Sequence, residues 1–467
     1  MKLCKLLAVI IALCMVVSLS AFAAPSGMPE DENGGQVSSD GESADGESAG
    51  GESSGNGGMG GSGGGSSAPS EYDAVMDITQ DTELTGESLT SDQGGENVVH
   101  VFEGATARIQ DSTFTNGGQG SGGDDASFYG VGATLLVSDG ELYLSDSEIT
   151  STTSGGTGVF AYDQGTAYVS GVTIRNSGQG GCGGIHAAGG GTLYAWNCDV
   201  ETTGGSSAAI RSDRGGGTMV IDGGSYITQN GTGAVYCTAD ISVNNAYLFA
   251  GKSEAMAIEG KNTIRLFDCY LEGNMQETNV NDNRVWNCIV YQSMSGDADV
   301  GTSEFDMIGG ELVCHAGPVV LNTNTSSYIT FKDCAVSYGD DTTYFLQVTG
   351  NSSSRTWGKA GANGANCIFT AYEMEMSHDV LYDTISNLDF YLLDGTTWEG
   401  ALLCDDTYNG GHSGDGAANV VIDASSSWKV TGDSVISGTL QLEGTIEGAQ
   451  VVGEDGTVYV DGDGYTV

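Results

Sequence analysis

The densest mixed cluster of chemistry-bearing side chains in this 467-residue chain is Arg211, Asp213 and Arg214, just ahead of the glycine turn Gly215-Gly216-Gly217. A calcium-dependent polysaccharide lyase needs clustered carboxylates for the ion and a nearby Arg or Lys as base. The triplet is therefore a weak catalytic candidate, for a lyase or a glycoside hydrolase working in a groove near Arg211. The plainer reading is an ion pair across one turn, which at a surface contributes about 0–1 kcal/mol. Glycoside hydrolysis needs two carboxylates a fixed distance apart, and with 62 acids many pairs meet that condition by accident. The five histidines, His100, His186, His315, His378 and His412, are scattered without a helical pair, which excludes a His-Glu-x-x-His zinc site. Asp297/Asp299, Asp340/Asp341, Asp405/Asp406 and Asp461/Asp463 could offer calcium hard oxygen ligands. The glycine-rich nonapeptide calcium repeat is missing, so no cofactor is expected and calcium would be incidental.

Binding is the other chemistry these residue types suggest. Tyr143, Tyr168 and Tyr194 recur about every 25 residues, three places before a turn residue, and Trp196, Phe267 and Trp286 stand one place before such a turn. Aromatics stacked about 4.8 Å apart on a flat sheet make a rigid platform for sugar rings or a partner's apolar patch. Tyr143, Tyr168, Tyr194, Trp196 and Trp286 are the candidate ligand-binding residues. The alternative is that they only stabilise neighbouring strands by cross-strand contact.

The elements that must position these residues are written in a repeat. Ten times two apolar residues at i and i+2 precede a turn residue, a small residue and another apolar position. The turns are Asp111, Asp146, Gly171, Asn197, Gly223, Asn245, Asp268, Asn287, Gly309 and Asp333, all residue types that tolerate positive φ. Ile109, Leu144, Val169, Ala195, Ile221, Val243, Leu266, Val285, Met307 and Phe331 stand two places earlier. A spacing near 25 residues is one turn of a solenoid. Upstream strands such as Gly158-Val-Phe-Ala and Ala234-Val-Tyr-Cys, and apolar pairs beyond each turn, make three strands per rung. The expected fold is an all-β, right-handed, single-stranded parallel β-helix, in keeping with right-handed parallel crossovers. It would have roughly 15 rungs and a length on the order of 70 Å. Cys198, Cys269, Cys288 and Cys334 fall in the small-residue column after the turn, where Cys acts as a small hydrophobe, so buried thiols are expected in place of disulfides.

Residues 1–23 read as an export signal, with Lys2 and Lys5 at the start, an apolar run from Leu6 to Val17 and the small-residue site Ala21-Phe22-Ala23. Residues 24–70 are an acidic Gly/Ser-rich linker unable to bury enough surface to order itself. Its two Gly-x-Ser-x-Gly matches, at 46–50 and 51–55, lack the strand-to-helix elbow such a nucleophile needs. The β-helix occupies 71–467, with 380–467 as C-terminal rungs and cap. No later segment holds the roughly 20 apolar residues of a membrane span. Without Lys2 and Lys5, 12 bases face 62 acids, a net charge of −50. That charge argues against nucleic acid as a partner.

Ala208-Ala-Ile-Arg-Ser-Asp-Arg-Gly-Gly-Gly217, Ser253-Glu-Ala-Met-Ala-Ile-Glu-Gly-Lys-Asn262, Tyr291-Gln-Ser-Met-Ser-Gly-Asp297 and Arg355-Thr-Trp-Gly358 carry a resemblance. The chain resembles secreted right-handed β-helix, pectin-lyase-like-fold proteins of anaerobic microbes that are described as adhesin-like. The resemblance implies the fold and a secreted, cell-surface address, and it carries no catalytic residue across. The expectation is a non-catalytic rod acting in adhesion, with carbohydrate or a cell-surface protein as partner. A lyase or hydrolase near Arg211 is the first alternative. A self-associating structural component of a surface layer is the second.

Overall fold

The computed structural model describes residues 67–461 apart from 119–122, 182, 276–283, 353–356 and 454. The expected export signal and most of the expected linker lie outside the described residues. Within them the chain winds through forty strands and one short helix, Asp124–Tyr129. Every strand pairing is parallel except the last, where Gln450–Gly453 meets Val458–Asp461 antiparallel. This is a parallel β-helix of three ladders. In the second ladder strands stack from Thr82–Thr85 to Leu440–Leu442.

The periodic columns are in register. Ile109, Leu144, Val169, Ala195, Ile221, Val243, Leu266, Met307 and Phe331 pair in succession along the second ladder, and all are buried. Between the second and third ladders the chain turns through one left-handed residue: Asp111, Asp146, Asn197, Asn245, Asp268 and Asp333 have φ between 46° and 52°, and Gly171, Gly223 and Gly309 between 62° and 70°. A Cβ on the next residue, Gly224, would sit 2.3 Å from the Cys198 carbonyl oxygen, so only glycine closes that rung so tightly. Three further turns share this geometry, Gly86, Glu373 and Asp394.

Asn287 is a correction. It is buried at the start of the first-ladder strand Cys288–Tyr291, with its backbone N–H donating to the Pro318 carbonyl. Cys288 accordingly pairs with Met256 and Val320 instead of following Cys269 in a small-residue column. The segment 274–287 is a long insertion, and its end mimics the repeat while belonging to another ladder. The eight described cysteines are unbridged and all but Cys404 are buried.

Away from its end strands, Ala74–Ile78 and Leu402–Cys404, the first ladder differs from the other two in being buried on both faces. Val159, Ile185, Ile210 and Val235 point into the solenoid core. The alternate column, Leu136, Phe160, His186, Arg211, Tyr236, Ala257, Ile289 and Leu321, points outward and is still buried. Tyr72 and Tyr162 pack over one end of this column, and Trp286, Met275 and Trp357 over the other. At the bend from the third ladder into the first, the Asn176 side-chain amide donates to Gly156 O and Gly183 O, and Asn116 makes the same kind of brace to Glu96 O and Gly132 O. These bonds satisfy the Gly156, Glu96 and Gly132 carbonyls and add to the bond that Gly183 O accepts from Gly158 N–H.

The core becomes aromatic toward the C-terminus. Phe369 and Phe390 stack at 5.2 Å, and Trp398 and Trp428 at 4.6 Å. Both indole N–H groups donate to backbone carbonyls, of His378 and Gly400. No helix among the described residues is long and apolar enough to cross a membrane.

Candidate functional site

Two constellations concern function, the Arg211 cluster and the outward aromatic row. Arg211 and Asp213 are 0% and 1% exposed, which corrects the expectation of a surface ion pair beside a groove. The Arg211 Nε donates to Asp213 Oδ2 at 2.6 Å, its Nη1 donates to Ser206 O, and its guanidinium lies 4.9 Å from the Tyr236 ring centroid. His186 Nε2 comes within 3.2 Å of the same carboxylate oxygen, and its ring stacks on Phe160 at 4.2 Å. Burial alone would raise the Asp213 carboxyl pKa, but Arg211 and His186 outweigh it and hold the acid below its ordinary value. Burial lowers the pKa of His186 despite Asp213, so the imidazole stays neutral.

Arg214 does not join that pair. It reaches Asp297, 83 residues away in sequence, at 2.8 Å, and covers the Phe128 ring at 4.2 Å. Next along the ladder the buried Glu259 carboxylate accepts from Tyr236, Tyr291, Ser293 and Ser295. Burial raises its pKa, only partly offset by those hydroxyls. The whole network ties the covering loops to the first ladder. A lyase base must reach a substrate carbon, and the enclosed Arg211 guanidinium has no such access.

The acid pairs are dispersed. Asp297 and Asp299 bond different cations, Arg214 and Lys261. Asp406 accepts from Thr384, Asn409 and Ser413, while Asp405 accepts from Thr407. Asp340 and Asp341 are exposed on a strand of the third ladder, and Asp463 lies outside the described residues. Among the described residues no three His, Cys, Asp or Glu side chains converge as metal ligands would.

The aromatic row is outward on the second ladder. Tyr143, Tyr168 and Tyr194 pair in register. Their rings stack at 4.5 and 5.3 Å, tilted by 7° and 11°. Trp196 lies nearly parallel to Tyr194, 6.1 Å away, and Arg108 closes the other end 4.2 Å from the Tyr143 centroid. Tyr143 donates its phenol to Glu141, and burial with that bond pushes its pKa up to about 12. Because the rings face one another along the ladder, their faces are shared and the row shows solvent mainly its edges and hydroxyls. At the end of the row, beyond Tyr194 and Trp196, the next rung supplies only Val220 and Asp222.

Trp286 is not part of this row. It is 4% exposed and packs 6.0 Å from Trp357 over the first ladder. Its place before Asn287 carried it into the wrong column. A second outward stack, Tyr247 on Tyr270 at 4.9 Å, sits on the third ladder and went unread. Its signal is the aromatic pair two residues after the turns Asn245 and Asp268. No family model matches the chain, and no curated protein and no solved structure matches it either.

Proposed function

We propose that the chain is a secreted, non-catalytic β-helix rod that adheres to glycan through its outward aromatic face. The observation carrying this reading is the Arg108–Tyr143–Tyr168–Tyr194–Trp196 row, five half-buried side chains held rigid by the ladder. Its phenol edges offer hydrogen bonds at strand spacing. Rigid aromatics lose little entropy when a ligand orders on them. Catalysis at Arg211 draws no support from a guanidinium sealed under loops. Self-assembly through the first rung is opposed by Asp77, Asp81, Glu83 and Glu87, exposed on or beside its edge strands, since charge on an edge blunts strand pairing.

A glycan array probed with the secreted protein, with and without calcium, tests the reading. Binding that Tyr143→Ala/Tyr168→Ala/Tyr194→Ala abolishes supports a carbohydrate adhesin and locates its face. Silence on every glycan overturns it and leaves a structural rod or a protein-directed adhesin.

A further inference from the structure

The tripeptide Asn-x-Ser/Thr, with x other than proline, occurs three times in the chain: Asn230-Gly231-Thr232, Asn324-Thr325-Ser326 and Asn351-Ser352-Ser353. In a secreted protein this tripeptide is the acceptor for an N-linked glycan, a bulky group that only a surface position can carry. The fold sorts the three. Asn351 is 2% exposed, and its amide nitrogen already donates to Thr323 Oγ1 at 3.2 Å and to Trp357 O at 3.1 Å. Asn324 is half-buried and donates to Gln292 O at 2.7 Å. Gly358 lies so close to its amide that a Cβ there would stand 2.4 Å from Asn324 Oδ1. Its third residue, Ser326, accepts from Asn366 Nδ2 at 3.3 Å. Neither asparagine has room for a sugar.

Asn230 is the exposed one. It lies in the corner between the strands Gly217–Thr228 and Val235–Cys237, where the third ladder bends into the first. Thr203 on the rung before and Lys252 on the rung after are exposed as well, so the corner is open. A Cβ on Gly231 would stand 1.7 Å from Ser207 O, so only glycine seats this loop on the preceding rung. The Asn230 Nδ2 donates to Thr203 O at 2.9 Å. An N-glycosidic bond replaces one amide hydrogen and leaves the other for that carbonyl.

Thr232 supplies a second, independent observation. Its hydroxyl is buried and has no hydrogen-bond partner among the described residues, an arrangement that costs stability. The packed rung makes no use of a hydroxyl at this position, whereas the acceptor tripeptide requires one. Since that hydroxyl is covered in the finished rung, sugar transfer comes before the rung closes.

We propose that Asn230 is an N-glycosylation site, its oligosaccharide delivered from a lipid-phosphate donor. The Asn230 amide nitrogen bonds to C1 of the first sugar and gives up one proton. The bond from C1 to the phosphate oxygen breaks, and the lipid phosphate leaves. The proposal rests on the secreted address and is otherwise independent of the aromatic row.

The test is mass spectrometry of tryptic peptides from the protein secreted by the cells that natively produce it. Each tripeptide falls on its own peptide, 215–252, 285–332 and 333–355. Peptide 215–252 should carry a glycan on Asn230, and the other two should be bare. Thr232→Ser should keep the modification. Thr232→Ala, which leaves Asn230 in place, should abolish it while the protein is still secreted and its circular dichroism is unchanged. A mass gain that survives in Thr232→Ala, as deamidation of the Asn-Gly pair would, overturns the proposal. A glycan on Asn324 or Asn351 overturns the sorting on which it stands. A bare Asn230 in secreted protein overturns the proposal and leaves the adhesin reading standing. A bare chain confined to the cytoplasm overturns both.

Discussion

Arg211 and Asp213 stand two residues apart and meet at 2.6 Å, with neither side chain reaching solvent. Breaking a buried pair by removing one partner leaves an uncompensated charge, typically costing about 3–5 kcal/mol. Asp213→Asn should therefore lower the melting temperature sharply, while Arg211→Met/Asp213→Asn, which removes both charges, should recover part of the loss. Thermal unfolding followed by circular dichroism reads both. A double variant less stable than Asp213→Asn would show that Arg211 acts through packing on Tyr236 and not through its charge.

His100 gives a pH signature. Burial lowers its pKa to about 4, outweighing the pull of Asp77, against an unfolded value near 6.5. Unfolded chains then bind the extra proton between those values, so His100 subtracts stability as pH falls from about 6.5 to about 4. His100→Gln can keep the 2.8 Å bond to Ser138 and removes that loss. Its melting temperature should rise relative to the parent as pH drops through this window. A constant difference across the window would refute the assignment.

Asp306 carries the opposite sign. Burial, with the Glu304 charge beside it, raises its pKa to about 7, although Thr330 and Arg265 pull it down. The folded state holds the proton between about 4 and 7 where the unfolded state has lost it, so this group adds stability as pH falls through 7. Asp306→Asn should be more stable than the parent at pH 8, with the advantage shrinking toward pH 4. Paired melting curves at the two pH values decide it.

The solenoid was legible because its register preserves sequence columns. Nine of the ten turn residues adopt the left-handed conformation inferred from their type, and each apolar residue two places earlier lies in one ladder. Asn287 misled because Val285-Trp286-Asn287-Cys288-Ile289-Val290 satisfies the same local pattern after an insertion that shifts the chain by one ladder. Glu373 escaped because a glutamate at positive φ is a choice only the neighbouring rungs enforce. Tyr143, Tyr168 and Tyr194 were placed together by their period, yet their edge-on presentation depends on ring orientation, which no column reveals. The burial of Arg211 was not readable at all. Tyr236 in the next strand, His186 in the previous one and the Ser206 carbonyl stand against it, and the two aromatic partners lie a full rung away in sequence.

Thiol reactivity should divide the cysteines cleanly. Burial pushes the pKa of Cys237 and Cys367 up to about 12 and that of Cys269 to about 11, so their thiolate fraction at neutral pH is negligible. Cys404 is exposed. In a Cys182→Ser background, a thiol reagent should label Cys404 in the native protein and reach the seven buried cysteines only after denaturation. Rapid native labelling at Cys269 or Cys334 would mean that the small-residue column opens to solvent.

Trp428 tests whether the last rungs are a packed continuation of the solenoid. Its ring is fully buried, stacked on Trp398 at 4.6 Å, and its indole N–H donates to Gly400 O at 2.9 Å. Trp428→Ala removes that volume and leaves Gly400 O only its 3.3 Å bond from Thr431 N–H, a change that in protein cores costs about 3–5 kcal/mol. Repeat arrays lose stability mainly in the altered repeat and its neighbours. Limited proteolysis of the variant should therefore cut first between about residues 400 and 461 and leave the rungs holding Tyr143, Tyr168 and Tyr194 intact. Trp428→Phe, which restores most of the stacking without the hydrogen bond, should protect the same region better than alanine. Cleavage spread evenly along the chain would instead show that the solenoid unfolds as one cooperative unit and that Trp428 stabilises all of it.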